Sequence, residues 1–79
     1  MYTEMANSVV IEKTARGLEI LKKAASTIPG RTVILTRKTN KAGEIRHGVV
    51  LENTRGHHWK IGTFTELAPA FRLYKSLVA

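Results

Sequence analysis

His58-Trp59-Lys60-Ile61-Gly62-Thr63-Phe64-Thr65 decides how this chain is read. A β-rich run closes at Gly62 and Thr63. Just beyond it, Leu67, Ala70, Phe71, Tyr74, Leu77 and Val78 fall at i, i+3, i+4 and i+7 spacing, which predicts an amphipathic helix from Glu66 to Val78 with one apolar stripe. Thr65 is placed to cap it. Pro69 then occupies the fourth helical position, where it removes only the first intrahelical donor. A strand feeding directly into such a helix predicts a sheet with the helix packed on one face.

Working back toward the N-terminus, Thr32–Lys38 is rich in β-branched residues and Ile45–Glu52 is a second apolar run, so each reads as a strand. Thr39-Asn40-Lys41-Ala42-Gly43 and Asn53-Thr54-Arg55-Gly56 carry turn chemistry, with Asn and Gly able to take positive φ. With Trp59–Thr63 as a third strand, the sheet is expected to be an antiparallel meander. Alternation sends Ile45, Val49 and Leu51 to the core, with His47 between them, and Arg46, Gly48 and Val50 to the opposite face. The same rule sends Trp59 and Ile61 inward, and Lys60 and Gly62 outward. Arg46 and Lys60 would then share a face on which Gly48 and Gly62 leave the backbone bare.

From Ser8 to about Thr27 the apolar positions Ile11, Ala15, Leu18, Leu21, Ala25 and Ile28 fall near helical spacing, which predicts a first helix capped by Asn7 or Ser8. Gly17 lies inside that pattern at a cost of about 1 kcal/mol relative to Ala. The β-branched Val9-Val10-Ile11 leaves open a short strand over 8–13 with the helix starting at Thr14. Pro29-Gly30 ends the element in either case. The expected fold is α+β in the order αβββα: an N-terminal helix, a three-stranded antiparallel sheet and a C-terminal helix packed on one sheet face. It is read as a single domain over 1–79, with 1–30 a helical segment and 31–79 the sheet–helix unit. The first helix would pack on the sheet edge or make a homodimer contact.

Hydrophobic residues make up 43% and charged residues 24% of the chain, as in ordinary globular domains. There is no Cys, which excludes disulfides and thiolate zinc sites and fits an intracellular protein. No apolar run is long enough for a membrane span and no signal peptide is visible, so a cytoplasmic or nucleoid-associated location is expected. The net charge is +7, and it is unevenly placed. Residues 31–60 hold seven Lys or Arg against two Glu, whereas the segments on either side carry a surplus of one each. A positive field concentrated on one supersecondary unit is the footprint of a polyanionic partner.

Ile61-Gly62-Thr63-Phe64, followed at helical spacing by Ala70 and Tyr74, resembles the DNA-binding domain of plant ethylene-response factors. Related domains occur in phage homing endonucleases and at the N-terminus of tyrosine integrases. The resemblance covers residues 31–79, and the first 30 residues have no counterpart. It implies a three-stranded sheet laid in the DNA major groove with the helix behind it, and a phage or mobile-element origin. It also implies a DNA-facing slot for Lys60 and places Arg46 on the strand that contributes Arg contacts.

The candidate nucleic-acid-binding residues are Arg31, Arg37, Lys38, Lys41, Arg46, Arg55, His57, His58 and Lys60. Most would contact phosphates, which supply affinity and salt dependence but little sequence information. Arg46 and Lys60, mid-sheet, are placed for base edges, because Arg and Lys donate to guanine O6 and N7. Adjacent histidines on a strand point to opposite faces, so His57 and His58 make a poor metal site, and no cofactor is implied. Trp59 reads as core by alternation with Ile61, with base stacking as the alternative. The expectation is a non-enzymatic, double-stranded DNA-binding accessory or regulatory protein, with DNA favoured over RNA. Two alternatives stand beside it. One is an RNA-binding protein or small toxin-type ribonuclease using His57 or His58, for which no acidic partner is apparent. The other is a basic phage protein that inhibits an acidic host protein.

Overall fold

A computed structural model describes residues 12–14 and 17–79. Five antiparallel strands, β1 (Glu12–Lys13), β2 (Glu19–Ala25), β3 (Thr32–Thr39), β4 (Ile45–Glu52) and β5 (His58–Phe64), lie in the order in which they occur in the chain. Among the described residues one helix, α1 (Leu67–Leu77), follows. The three-stranded sheet and the N-terminal helix expected from sequence are therefore corrected. The segment read as helix contributes two strands instead, and the part of that reading on residues 1–11, 15 and 16 lies outside the described residues.

The correction has a local cause. Gly17 takes φ +82°, which closes a turn rather than continuing a helix. Thr14 N–H donates to the Leu18 carbonyl, Gly17 N–H donates to the Thr14 carbonyl, and Leu18 N–H reaches Thr14 Oγ1 at 3.2 Å. The hairpin turn between β3 and β4 is built the same way. There Asn40 N–H donates to the Glu44 carbonyl and Gly43 N–H to the Asn40 carbonyl. Asn53 and Gly56 repeat the pattern between β4 and β5. The β2–β3 connection differs: Arg31 N–H donates to the Ile28 carbonyl across Pro29-Gly30.

Both sheet faces are apolar in the middle. Leu21, Val33, Leu35, Val49 and Leu51 pack against Ala70, Phe71 and Tyr74 of α1. On the other face Ile20, Ile34 and Val50 form a smaller cluster. Glu66, not Thr65, precedes the first helical residue, and no side chain caps it. Pro69 is thus the third helical residue, one of the four positions whose N–H has no intrahelical acceptor, so it costs no hydrogen bond. At its far end α1 is tied to the β2–β3 connection, where Thr27 N–H donates to the Leu77 carbonyl and Ala79 N–H to the Ala25 carbonyl.

Two bulges re-aim side chains. One lies between Ile20 and Lys22. The other adds Ile61 to β5, because Lys60 pairs with Val50 while Gly62 pairs with Val49. The outward placement of Gly62 is therefore corrected. A Cβ at Gly62 would sit 3.1 Å from Leu73 Cδ2 and 3.0 Å from Phe64 Cε1, so the glycine faces the helix and lets α1 approach β5 closely. Thr63, opposite Gly48, takes the outward slot. Ile45, Trp59 and Ile61 are corrected too: they are 44%, 45% and 44% exposed and are not core.

Candidate nucleic-acid interface

The face turned away from α1 is assembled by register. Lys38 pairs with Arg46, Thr36 with Gly48 and Ile34 with Val50 across β3 and β4. Gly48 pairs on with Thr63, Val50 with Lys60 and Glu52 with His58 across β4 and β5. Paired residues share a face, so Lys38, Arg46, His58 and Lys60 stand on one surface. That surface holds a groove of about 530 Å³ whose lining includes all four. Its floor is low because Gly48 has no side chain. A Cβ there would lie 2.8 Å from Thr36 Oγ1, which donates to the Gly48 carbonyl at 3.3 Å.

The cations are weakly neutralised. Arg46 Nη2 is 3.9 Å from Glu44 Oε1, and both side chains are well exposed, so this contact is worth little. Among the described residues, Lys38 and Lys60 have no acidic partner. Lys23, opposite Ile34, adds a cation at the β2 side and meets Glu12 at 3.7 Å.

The other candidates go elsewhere. Arg37 lies on the helix side of β3 and is engaged by Glu19 at 2.7 Å. Arg31 stacks its guanidinium 4.2 Å from the centroid of the Trp59 ring, which occupies the face a base would use. Lys41 sits in the β3–β4 turn. Arg55 and His57 sit in the β4–β5 turn, at the opposite end of the sheet. Four of the nine residues read from sequence therefore converge on one face, with Lys41 at its end.

The histidines do not converge. His58 Nε2 lies 2.7 Å from Glu52 Oε2, an acidic partner that sequence reasoning missed. Counting outward from the Asn53–Gly56 turn would have found it, since Glu52 and His58 face each other across that hairpin. His47 is buried on the helix side, and its Nδ1 has no hydrogen-bond partner. Burial, and next the Arg37 guanidinium, hold its pKa below the ordinary 6.5, while a hydrogen bond with the Thr65 backbone opposes them. The fold thus favours neutral imidazole. As pH falls below about 6.5 the unfolded chain takes up this proton before the folded one does, so stability is lost toward the lowered folded value. Wild-type melting temperature should drop between pH 7 and 5, and that drop should be smaller in His47→Gln. An equal drop in both proteins would remove His47 as its source.

Among the described residues no group of three or more His, Asp or Glu is placed to hold a metal ion. No described helix is long and apolar enough to cross a membrane. Compared with protein-family models, curated proteins and solved structures, the chain matches none. Function has to be read from the chemistry of this face.

Proposed function

We propose that this protein binds double-stranded DNA through the sheet face opposite α1, as an accessory or regulatory factor working in the cytoplasm or on the nucleoid. The observation that carries the reading is the placement of Lys38, Arg46 and Lys60, each itself exposed, on one side of a sheet whose middle on that side is buried. Thr63 between them is exposed and small, while Thr36 and Gly48 lie buried in the groove floor. The likeness of residues 31–79 to the ethylene-response-factor and integrase domains points the same way, and suggests a phage or mobile-element source. Five strands about 4.8 Å apart make a face near 19 Å wide. The B-DNA major groove is about 12 Å wide. The body of the sheet is therefore read as straddling the groove, with Lys60 on a flanking phosphate.

Filter binding of labelled duplex DNA, single-stranded DNA and RNA at low salt tests this. Arg46→Ala and Lys60→Ala should each weaken duplex binding, Arg46→Ala by about tenfold, with an unchanged melting temperature. Wild-type affinity in both variants would remove the face from the site. The ribonuclease reading gains one point from the structure, the contact between His58 and Glu52. It requires that RNA in the same titration be cut, and that His58→Ala stop the cutting.

A further inference from the structure

The strands β3 and β4 run past their neighbours. β2 pairs with β3 no further than Arg37, and β5 pairs with β4 no further than His47. Beyond that line Lys38 pairs with Arg46 and Thr39 with Ile45, with no further strand on either side among the described residues, and every residue from 38 to 46 is exposed. The sheet thus ends in a two-stranded ribbon carrying Lys38, Lys41 and Arg46 against the single acid Glu44.

The tip is held in shape. Asn40 Oδ1 accepts from Ala42 N–H and Glu44 N–H, both at 2.9 Å, while Asn40 Nδ2 donates to Glu44 Oε1 at 2.9 Å. Gly43 at φ +85° closes the turn. Less conformational freedom is then left to lose on binding.

Resting on the DNA-binding reading above, we infer that this ribbon enters the major groove of B-form DNA, with Lys38 and Arg46 presented to base edges and Lys60 left on the flanking phosphates. The dimensions agree. Three residues of ribbon, from Lys38 to the turn, project about 10 Å. The major groove is about 8.5 Å deep and admits a two-stranded ribbon. Lys60 pairs with Val50, four residues from Arg46 along β4, so it stands about 13 Å behind the ribbon cations, as far as the groove is wide. Glu44 fits the same placement: a carboxylate repels phosphate, whereas a cytosine N4 amine can donate to it. The ribbon also selects the duplex. The major groove of A-form RNA is deep and too narrow for side chains to read, so duplex RNA offers it no entry.

Dimethyl sulfate methylation of a labelled mixed-sequence duplex reads groove occupancy, because guanine N7 lies in the major groove and adenine N3 in the minor. Wild-type protein should protect guanine N7 and leave adenine N3 reactive. The K38Q/R46Q variant should lose the N7 protection while still retarding the duplex at low salt through Lys60. Its substitutions are exposed, and an unchanged melting curve checks the fold. Duplex DNA should outcompete duplex RNA of the same sequence. Retardation by the wild type without N7 protection, or full protection by K38Q/R46Q, overturns the ribbon and leaves the sheet-face reading standing. No binding of the duplex at all by wild type overturns both.

Discussion

Raising salt from about 50 to about 200 mM should weaken duplex DNA binding about 150-fold. The figure follows from four cations, Lys38, Lys41, Arg46 and Lys60, on or at the end of the face opposite the helix, each taken to displace one phosphate counterion whether it ends on a phosphate or in the groove between phosphates. Each phosphate neutralised releases condensed counterions, so log K falls against log salt with a slope of about −0.9 per contact, about −3.6 for four. An R46A/K60A protein should show a slope of about −1.8, and lose only about 12-fold over the same range. The change in slope matters more than the affinity alone. A damaged fold would weaken binding without halving the slope, whereas loss of two counterion-releasing contacts must do so. A wild-type slope shallower than about −1 would set the polyanion reading aside and favour a protein partner.

Leu35→Ala should cost about 2–5 kcal/mol of unfolding free energy, measured by urea denaturation. Leu35 is 1% exposed on the central strand and packs in the cluster that joins the sheet to Phe71 and Tyr74. Relaxation around the lost side chain is limited, because Val33 and Val49 beside it are themselves fully buried. A domain of this length is stable by roughly 4–12 kcal/mol at about 0.05–0.15 kcal/mol per residue, so the substitution removes a large share of the total. The melting temperature should fall by about 10 °C or more. A loss under about 1 kcal/mol would mean that Leu35 does not face the helix. Register would then be wrong by one residue, and Lys38 and Arg46 would leave the face opposite the helix with it.

Which residues face the helix and which face away, on which both predictions rest, was legible because β4 pairs with β3 without interruption from Ile45 to Glu52. Lys60 kept its expected side because the β5 bulge falls after it, at Ile61, and the same bulge is why Gly62 was placed on the wrong side. Bulges leave no composition mark in a run such as Trp59–Phe64. The N-terminal misreading has a different origin. Ile20 and Leu21 are consecutive and both buried, one on each face of the sheet, so strict alternation disappears there. What remained, Leu18, Leu21 and Ala25, imitated helical spacing. A usable signal was present all the same. Asn40 and Asn53 each precede a glycine by three residues, and Thr14 stands in the same relation to Gly17. The starts of the last two turns lie 13 residues apart, and Thr14 lies twice that distance before Asn40. A hydroxyl in place of the amide hid the third copy of one turn. The protruding ribbon could not be read from the chain, because it depends on where the neighbouring strands stop.

Because each strand pairs with the next one in sequence, most of the sheet closes through short loops. Low sequence separation between partners speeds folding, and single hairpins form in about 1–10 μs. The distant encounters are those of α1 with β3 and β4 and the bridge between Ser26 and Val78, which spans most of the described chain. Assembly is therefore expected to proceed hairpin by hairpin, with arrival of the helix as the slow, committing step.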